Sequence, residues 1–292
     1  MSGTKVTVDV DGRQLVLSNL AKVLYPSVGF TKGQVLDYYS RVAPVLLPHL
    51  TDRPLTLKRY PDGVQGHSFY EKNAPSHRPG WLRVERLPSP GSSKQRDSID
   101  YAVVDDLASL VWVANLACLE LHVPQWHVSA PAEPDLLVLD LDPGPPASIV
   151  ECCEVALLLR ERLAADGLEA FAKTSGSKGM QLATRAEGAA RETSTYAKQL
   201  AQDLERSRPG LVVHRMTRSL RPGKVFVDWS QNSPAKTTVC AYSLRARDRP
   251  TCSTPLSWAE VEACRTAEDL AFTTDEVLAR VEADGDLWAG LL

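Results

Sequence analysis

Alternating and short apolar runs, separated by turn-forming residues, extend along most of the chain. They predict strands at 6–10, 55–60, 68–71, 120–128, 137–142, 171–174, 180–183 and 225–229. Apolar residues at helical spacing predict helices at 35–46, 105–119, 149–165 and 193–206, with two short helices after residue 250. Thr31 and Gln34 have the spacing of a capping box before the first of these helices. We therefore expect a single compact α/β (α+β) domain with a mixed or antiparallel sheet.

Composition and charge add a division within that domain. The 292 residues are 43% hydrophobic and 24% charged, which is typical of a soluble globular protein. Residues 250–292 carry nine acidic and two basic side chains, a net charge of −7, which leaves +4 on residues 1–249. We expect one domain over 1–292, with a catalytic body at 1–249 and an acidic helical segment at 250–292 packed on it. Basic residues of the body cluster at Arg53, Lys58 and Arg59, at Arg215, Arg218, Arg221 and Lys224, and at Arg245, Arg247 and Arg249.

Targeting and membrane signals are not evident in the sequence. The N-terminus lacks the apolar stretch of a secretory signal, and the apolar run at 107–123 is interrupted by Ser109, Asn115 and Glu120. The six cysteines form no C-x-x-C pair and have no histidine at zinc-finger spacing. We expect a cytoplasmic protein with no membrane partner, reduced thiols and no zinc site.

Two aspartates, Asp140 and Asp142, lie one residue apart in an apolar strand, and Asp228 lies in a second apolar strand. Side chains at i and i+2 of a strand share a face, so two carboxylates project together and repel each other. Divalent cations with oxygen ligands, Mg²⁺ or Mn²⁺, would relieve that repulsion and support phosphoryl or nucleotidyl transfer. Two alternatives stay open: a D-x-D phosphatase, although Pro143 replaces the usual Gly-Thr or Gly-Val, and a structural salt bridge from Asp228 to a nearby arginine.

Residues 175–179, Ser-Gly-Ser-Lys-Gly, form a Gly-rich turn between two predicted strands, although their spacing differs from that of a Walker A loop. Backbone N–H groups in such turns bind anions, and Lys178 adds charge. A plain polar hairpin is the alternative. Phe69 and Tyr70, near Lys58 and Arg59, interleave aromatic and basic residues, so one ring could stack on a base, worth about 1–3 kcal/mol. An ordinary half-buried aromatic pair is equally consistent with this pattern.

Six motifs, in this order, resemble those of the polymerase domain of bacterial ATP-dependent DNA ligase D, in the archaeo-eukaryotic primase superfamily. They are KRYPDG (58–63), FYEK (69–72), LHVPQW (121–126), DLDPG (140–144), TSGSKG (174–179) and VFVDWSQN (225–232). The resemblance extends over about residues 17–287. It implies a primase-polymerase-like fold of mixed and antiparallel sheets flanked by helices. It also implies a nucleoid-associated nucleotidyltransferase that fills gaps and extends ends in non-homologous end joining, commonly with ribonucleotides, together with Ku and a DNA ligase.

The resemblance assigns roles to individual residues. Asp140, Asp142 and Asp228 would be catalytic and hold two Mn²⁺ or Mg²⁺ ions. NTP or dNTP would be bound by Lys58, His122, Ser175, Lys178, Gln181, Gln231 and Arg245. DNA with gaps, overhangs or 5′-phosphate ends would contact Asn19, Lys22, Lys32, Phe69, Tyr70 and Arg221, of which Asn19, Lys22 and Lys32 would hold the 5′-phosphate.

Two departures from the family pattern affect what this resemblance implies. Met180-Gln181 replaces the usual Leu-His, and Tyr70 replaces the usual second Phe. Gln181 can donate a hydrogen bond but cannot carry a charge, whereas stacking survives the Phe-to-Tyr change. A catalytically weak platform that binds and holds DNA ends together is therefore the alternative function.

Overall fold

The computed structural model describes residues 5–88, 97–186 and 188–292. The chain folds into two compact units, each assembled from several stretches. The first unit contains Met1–Val123, Tyr242–Thr251 and Thr273–Gly285, and the second contains Pro124–Ala241, Cys252–Phe272 and Asp286–Leu292. Residues 250–292 thus contribute to both units.

The first unit contains the following strands and helices, given in chain order. They are β1 (Lys5–Val10), β2 (Arg13–Ser18), β3 (Val23–Tyr25), β4 (Phe30–Thr31), α1 (Lys32–Leu46), β5 (Pro54–Arg59), β6 (Phe69–Glu71), β7 (Val84–Pro88), β8 (Ser98–Val103), α2 (Leu107–Asn115), β9 (Cys118–Val123) and α6 (Thr274–Asp284).

The second unit contains the remaining regular elements. They are β10 (Leu136–Pro143), α3 (Ile149–Ala165), β11 (Phe171–Thr174), β12 (Met180–Arg185), α4 (Ala190–Ser207), β13 (Val212–Val213), β14 (Val225–Asp228), β15 (Thr238–Val239), β16 (Pro255–Leu256) and α5 (Trp258–Ala263).

The sheet of the second unit has the strand order β13-β14-β10-β12-β11-β16. Only the β13–β14 pair in this order is parallel, and the other neighbours are antiparallel. One face of β10 contributes Leu137, Leu139 and Leu141 to a core shared with α3. Because side chains alternate along a strand, Asp140 and Asp142 project from the opposite face. Burial of the leucines therefore fixes the direction of the carboxylates.

In the first unit, β9 pairs with β5, β5 with β8, and β8 with β7, while β6 pairs with the other end of β5. Lys58 lies directly opposite both Tyr70 on β6 and Glu120 on β9. Thr31 caps α1 through the predicted capping box with Gln34. The register of β5 thus places a lysine, an exposed aromatic ring and a buried carboxylate side by side.

Two predicted elements differ most from the structure in their boundaries. The helix predicted at 105–119 ends at Asn115, because Ala117 adopts a positive φ of 56° and turns the chain into β9. The strand predicted at 120–128 starts at Cys118 and ends at Val123, immediately before Pro124, which has no N–H for a ladder. The predicted loop at 88–98 lies mostly outside the described residues.

The predicted fold class is confirmed: mixed α/β, with largely antiparallel sheets and flanking helices. All six cysteines are buried, and none is paired in a disulfide. In the described ranges, every helix falls short of the length and apolarity that a membrane crossing requires.

Candidate active site

The three predicted carboxylates come together in the second unit. Asp140 on β10 lies directly opposite Asp228 on β14, and Asp142 follows on the same face of β10. Burial, followed by the negative charges of Asp142 and Asp228, raises the pKa of Asp140 to about 7. The alternation of side chains that the sequence predicted for this strand is confirmed.

Hydrogen-bond donors occupy oxygens of two of these carboxylates. Gln181 Nε2 donates to Asp140 Oδ1 at 3.0 Å, from the facing position on β12. Asp228 Oδ1 accepts from the backbone N–H of Ser230 at 3.0 Å and from its hydroxyl at 2.5 Å, and Asp228 Oδ2 accepts from Gln231 Nε2 at 2.8 Å. The alternative of an arginine salt bridge to Asp228 finds no support among these contacts.

A short 3₁₀ turn after β14, Trp229–Asn232, positions the donors to Asp228. Asn232 is buried, and its side-chain amide both donates to the carbonyl and accepts from the N–H of Val138, each at 2.8 Å. The amide therefore bonds to the backbone of β10 as a neighbouring strand would, and it holds the turn against β10. Lys236 Nζ donates to Ser230 Oγ, which extends this network by one charged group.

No group of three or more His, Cys, Asp or Glu side chains in residues 5–88, 97–186 and 188–292 is arranged as a ready-made metal-binding set. The oxygens of Asp140 and Asp228 point instead to the amide and hydroxyl donors described above.

The Gly-rich loop, residues 175–179, connects β11 and β12 at the end of β10. Its backbone N–H groups at Ser177 and Gly179 point to the Ser175 hydroxyl at 3.2 and 3.3 Å. A Cβ on Gly179 would lie 2.1 Å from the Leu141 carbonyl oxygen, so only glycine permits this approach. Lys178 Nζ donates to the Pro143 carbonyl at 3.2 Å. The loop is thus fixed beside Asp142, as a phosphate-binding role would require.

Arg221 lies beside the same end of β10. Its guanidinium stacks on the Phe226 ring at 3.7 Å, and one of its nitrogens donates to the Met216 carbonyl at 3.0 Å. Phe226 is the residue that faces Asp142 across the sheet. All the predicted site residues of the second unit therefore lie around the ends of β10, β12 and β14: Asp140, Asp142, Ser175, Lys178, Gln181, Arg221, Asp228 and Gln231.

The other predicted nucleotide-binding residues, Lys58, His122 and Arg245, belong to the first unit and surround Glu120. His122 Nε2 lies 2.9 Å from Glu120 Oε2, and Lys58 Nζ and Arg245 Nε each lie 3.5 Å from the same oxygen. Burial acts to raise the pKa of Glu120, but the His122 hydrogen bond and the Arg245 and Lys58 charges hold it well below its usual range. We call these four side chains the Glu120 cluster.

Phe69 and Tyr70 point to opposite faces of β6, because side chains alternate along a strand. The Phe69 ring lies 5.3 Å from the Arg59 guanidinium, and the Tyr70 ring lies 5.2 Å from Lys58 Nζ. Tyr70 is 56% exposed and meets the edge of His122 at a centroid distance of 5.5 Å. An exposed ring beside the Glu120 cluster is available for stacking.

Asn19, Lys22 and Lys32 come together at the start of α1. The Lys22 N–H donates to the Asn19 carbonyl at 2.9 Å, and the Lys32 N–H donates to the Lys22 carbonyl at 2.8 Å. Lys32 Nζ is bound to neutral acceptors of Ser18, whereas Lys22 forms an exposed ion pair with Asp62 at 3.0 Å. Burial, then the charges of Lys22 and Arg59, lower the pKa of Lys32 to about 8.

Sequence reasoning missed Glu120, Ser230 and Lys236. Glu120 had a signal, since it is a charged residue within an apolar strand that is buried along its whole length. Ser230 and Lys236 had none, because a hydroxyl two residues after an aspartate and a lysine in a loop are common. Only the fold shows that Ser230 binds Asp228 and that Lys236 binds Ser230.

The fold and site define an α/β domain with a carboxylate centre beside a Gly-rich loop. A family model described as "LigD, primase-polymerase domain" matches residues 31–288. The chain belongs to this family.

Relatives and a solved structure agree with this assignment. The chain is 44% identical over 281 residues to a multifunctional non-homologous end joining protein LigD of Mycolicibacterium smegmatis. It is 42% identical over 285 residues to the LigD of Mycobacterium tuberculosis (strain H37Rv). Each alignment covers 94% of this chain and 36% of the relative, so the chain spans about a third of their length. The polymerase domain of Mycobacterium tuberculosis ligase D, solved in complex with DNA, matches with a TM-score of 0.88 and 42% identity, over 95% of this chain and 97% of that one.

Proposed function

We propose that this protein is a DNA-dependent nucleotidyltransferase that fills gaps and extends ends during non-homologous end joining, with a preference for ribonucleotides. The observation that carries the proposal is the opposed pair Asp140 and Asp228, with Asp142 alongside and the Gly-rich loop packed at the end of the same strand. Membership of the LigD primase-polymerase family supports it.

The donor set at this site fits divalent cations. Three carboxylates supply oxygen ligands, and Gln181 Oε1 is a buried acceptor for which the described residues offer no hydrogen-bond donor. Asp140, Asp142 and Asp228 would hold two Mg²⁺ or Mn²⁺ ions. Bound there, the ions supply charge neutralisation for the triphosphate and acidity for the primer 3′-hydroxyl.

The side chains of the protein bind and orient the substrates. Lys178 and the Gly-rich loop are placed to hold phosphates, together with Ser175. The Glu120 cluster presents Lys58, His122 and Arg245 to the nucleotide, and Gln181 and Gln231 orient the two opposed carboxylates. Tyr70 and Phe69 stack on bases, while Arg221 contacts the DNA backbone.

We assign Asn19, Lys22 and Lys32 to the 5′-phosphate on the far side of a gap. A phosphate offers several acceptor oxygens and about two negative charges, and each charge-assisted bond is worth roughly 1.5–3 kcal/mol before solvent screening. In the contacts described above, Lys32 Nζ donates only to neutral acceptors of Ser18. A phosphate can therefore bind Lys32 without displacing a carboxylate.

A second function, an end-binding platform with weak catalysis, is favoured by one observation. Gln181 holds Asp140 Oδ1 but carries no charge that could act on a triphosphate. For either function we propose that the protein acts with Ku and a DNA ligase. The names of the LigD relatives, multifunctional non-homologous end joining proteins, support the end-joining process.

One extension assay separates the two readings. The substrate is a duplex with a short gap, a labelled primer that ends in a 3′-hydroxyl, and a 5′-phosphate on the far side of the gap. It is incubated with Mn²⁺ or Mg²⁺ and with one NTP or dNTP at a time. We expect templated addition that is faster with NTPs, and a gel shift of the same duplex. Binding without addition under every metal and nucleotide condition would establish the platform and refute the polymerase.

A further inference from the structure

We propose that Glu120 is a positioning residue: it holds Lys58, His122 and Arg245 in the arrangement that binds the incoming nucleotide. The kinetic part of this inference rests on the proposed function. Glu120 lies at the centre of β9, is only 2% exposed, and faces Lys58 across the β5–β9 ladder. Burying a carboxylate costs free energy unless hydrogen-bond donors surround it, so the donors around Glu120 indicate its role.

Five donor groups surround its two oxygens. Oε1 accepts from the Tyr60 hydroxyl at 3.0 Å and from the Ala246 N–H at 3.2 Å. Oε2 faces His122 Nε2, Lys58 Nζ and Arg245 Nε at 2.9 to 3.5 Å. Three segments that are far apart in the sequence therefore meet on one carboxylate: residues 58–60, 120–122 and 245–246.

Glu120 also determines which nitrogen of His122 is protonated. A carboxylate can only accept, so His122 Nε2 must carry the proton in the 2.9 Å contact. Burial is the largest influence on His122 and lowers its pKa, which favours the neutral ring. Nδ1 is then a hydrogen-bond acceptor. The tautomer of His122 is a direct readout of the contact, independent of any reaction.

The charge of Glu120 has a second effect. Its single negative charge lies between two cationic side chains, Lys58 and Arg245, which would otherwise repel each other. With Glu120 present, the cluster retains a net positive charge, which suits a triphosphate. Glu120 thus allows two cations to lie close together without cancelling their attraction for phosphate.

Glu120→Gln is the sharpest substitution, because it keeps the volume and removes one acceptor atom and the charge. In one orientation the new amide NH₂ faces the Ala246 N–H, and in the other it faces Lys58 and Arg245. In each orientation the NH₂ meets at least one donor, and in both the negative charge beside Lys58 and Arg245 is lost. We expect the KM for ATP in extension of a gapped duplex to rise at least tenfold, with kcat changed less than threefold. The affinity for the gapped duplex, measured without nucleotide, stays unchanged.

Two further variants frame this result. Glu120→Asp keeps the charge and both oxygens on a shorter stem, so its KM lies between those of the wild type and Glu120→Gln. Asp100→Asn is the matched control: it removes the exposed Arg86–Asp100 ion pair, with its 2.6 Å contact, in the same part of the fold. We expect its KM to stay within twofold of wild type.

Nuclear magnetic resonance of protein labelled with ¹⁵N-histidine supplies a readout that needs no turnover. We expect His122 to be protonated at Nε2 in the wild type and to lose its downfield Nε2–H signal in Glu120→Gln. ATP binding without DNA, measured by titration, should weaken at least tenfold in the same variant. If the wild type adds no nucleotide while these two results hold, the proposed function fails and the role of Glu120 stands.

Three outcomes would overturn the inference. The first is an Nδ1–H tautomer in the wild type, and the second is an unchanged KM and unchanged ATP affinity in Glu120→Gln. The third is a fall in kcat and melting temperature at constant KM, which would show a purely structural role. If Glu120→Gln does not fold, Tyr60→Phe replaces it, since it removes one donor from Oε1. A KM increase of about threefold would support the inference, and an unchanged KM and His122 signal would overturn it.

Discussion

Gln181 and Asp140 show how a single hydrogen bond can shape a carboxylate centre. Burial and the negative charges of Asp142 and Asp228 raise the pKa of Asp140. The hydrogen bond that Gln181 donates to Asp140 Oδ1 acts to lower that pKa. Gln181 is itself buried and retains an unsatisfied Oε1. At the scale of residues, the centre is therefore held by groups that donate but do not carry charge.

We expect Asp140→Ala and Asp228→Ala to reduce nucleotide addition by more than a hundredfold and to leave binding of the gapped duplex intact. The reason is that both carboxylates are assigned to cations and neither is assigned to DNA. Extension and gel-shift assays measure the two properties separately. Asp203→Ala, at an exposed ion pair with Arg206 on α4, is the control and should behave as wild type. Residual extension above about one-hundredth of wild type would contradict the two-cation assignment.

Gln181→His should raise turnover or lower the nucleotide KM. An imidazole restores the group that the family usually has beside the Gly-rich loop, and its protonated form adds charge-assisted bonding. Steady-state kinetics with one nucleotide and Mn²⁺ test this, with Gln181→Leu as the matched variant that lacks any donor. Kinetics that are unchanged or worse in Gln181→His would show that the surrounding residues have adapted to glutamine.

Among the elements, the Gly-rich loop is held in place by contacts of its own residues with β10. Gly179 lies so close to Leu141 that no side chain fits, and Lys178 binds the end of the same strand. The loop is therefore held as part of the sheet. Any change that lifts it from β10 should move its backbone N–H groups away from the carboxylates.

Gly179→Ala should lower both stability and nucleotide affinity. The added Cβ would lie 2.1 Å from the Leu141 carbonyl oxygen, so loop or strand must shift. A cost of about 2 kcal/mol would lower the melting temperature by roughly 4–8 °C. Gly210→Ala, where nothing lies within 4 Å of the new Cβ, is the control. Thermal denaturation and the KM for ATP give the result, and a variant identical to wild type in both would show that the loop is not anchored here.

The start of α1 gives a prediction that depends on pH. Lys32 has a pKa lowered to about 8, so it loses its proton between pH 7 and pH 9, whereas a 5′-phosphate stays doubly charged throughout. We expect gaps with a 5′-phosphate to bind about tenfold more tightly than 5′-hydroxyl gaps at pH 7 and low salt, and the ratio to fall about threefold by pH 9.

Binding titrations of the two gap types at several pH values test the Lys32 prediction. Lys32→Arg, which stays charged, should keep the preference at pH 9, and Lys22→Ala combined with Lys32→Ala should abolish it at both pH values. The double variant should still extend long open overhangs. Equal binding of the two gap types by the wild type at pH 7 would refute the assignment of the 5′-phosphate.

For the whole molecule, the sequence predicted what depends on local pattern and missed what depends on distant pairing. The bounds of α3 and the face of Asp140 and Asp142 follow from periodicity and were predicted correctly. The end of α2 was missed because the apolar run continues into β9, and no local rule marks the turn at Ala117. The Glu120 cluster could not be derived, since the sequence does not show that Lys58 and Arg245 reach the same carboxylate.

The opposed pair Asp140 and Asp228 has a consequence for the stability of the protein as a whole. Like charges directly across an antiparallel ladder destabilise it, and the raised pKa of Asp140 means that folding is opposed by its ionisation at neutral pH. Asp140→Asn keeps the shape, removes one charge and should raise the melting temperature in metal-free buffer by about 2–4 °C, equivalent to roughly 1 kcal/mol. A calorimetric scan with chelator measures it, and a lower melting temperature would contradict it. Selection for activity would then have kept a less stable fold. Selection for thermostability alone should therefore replace one of these two aspartates and so remove the activity.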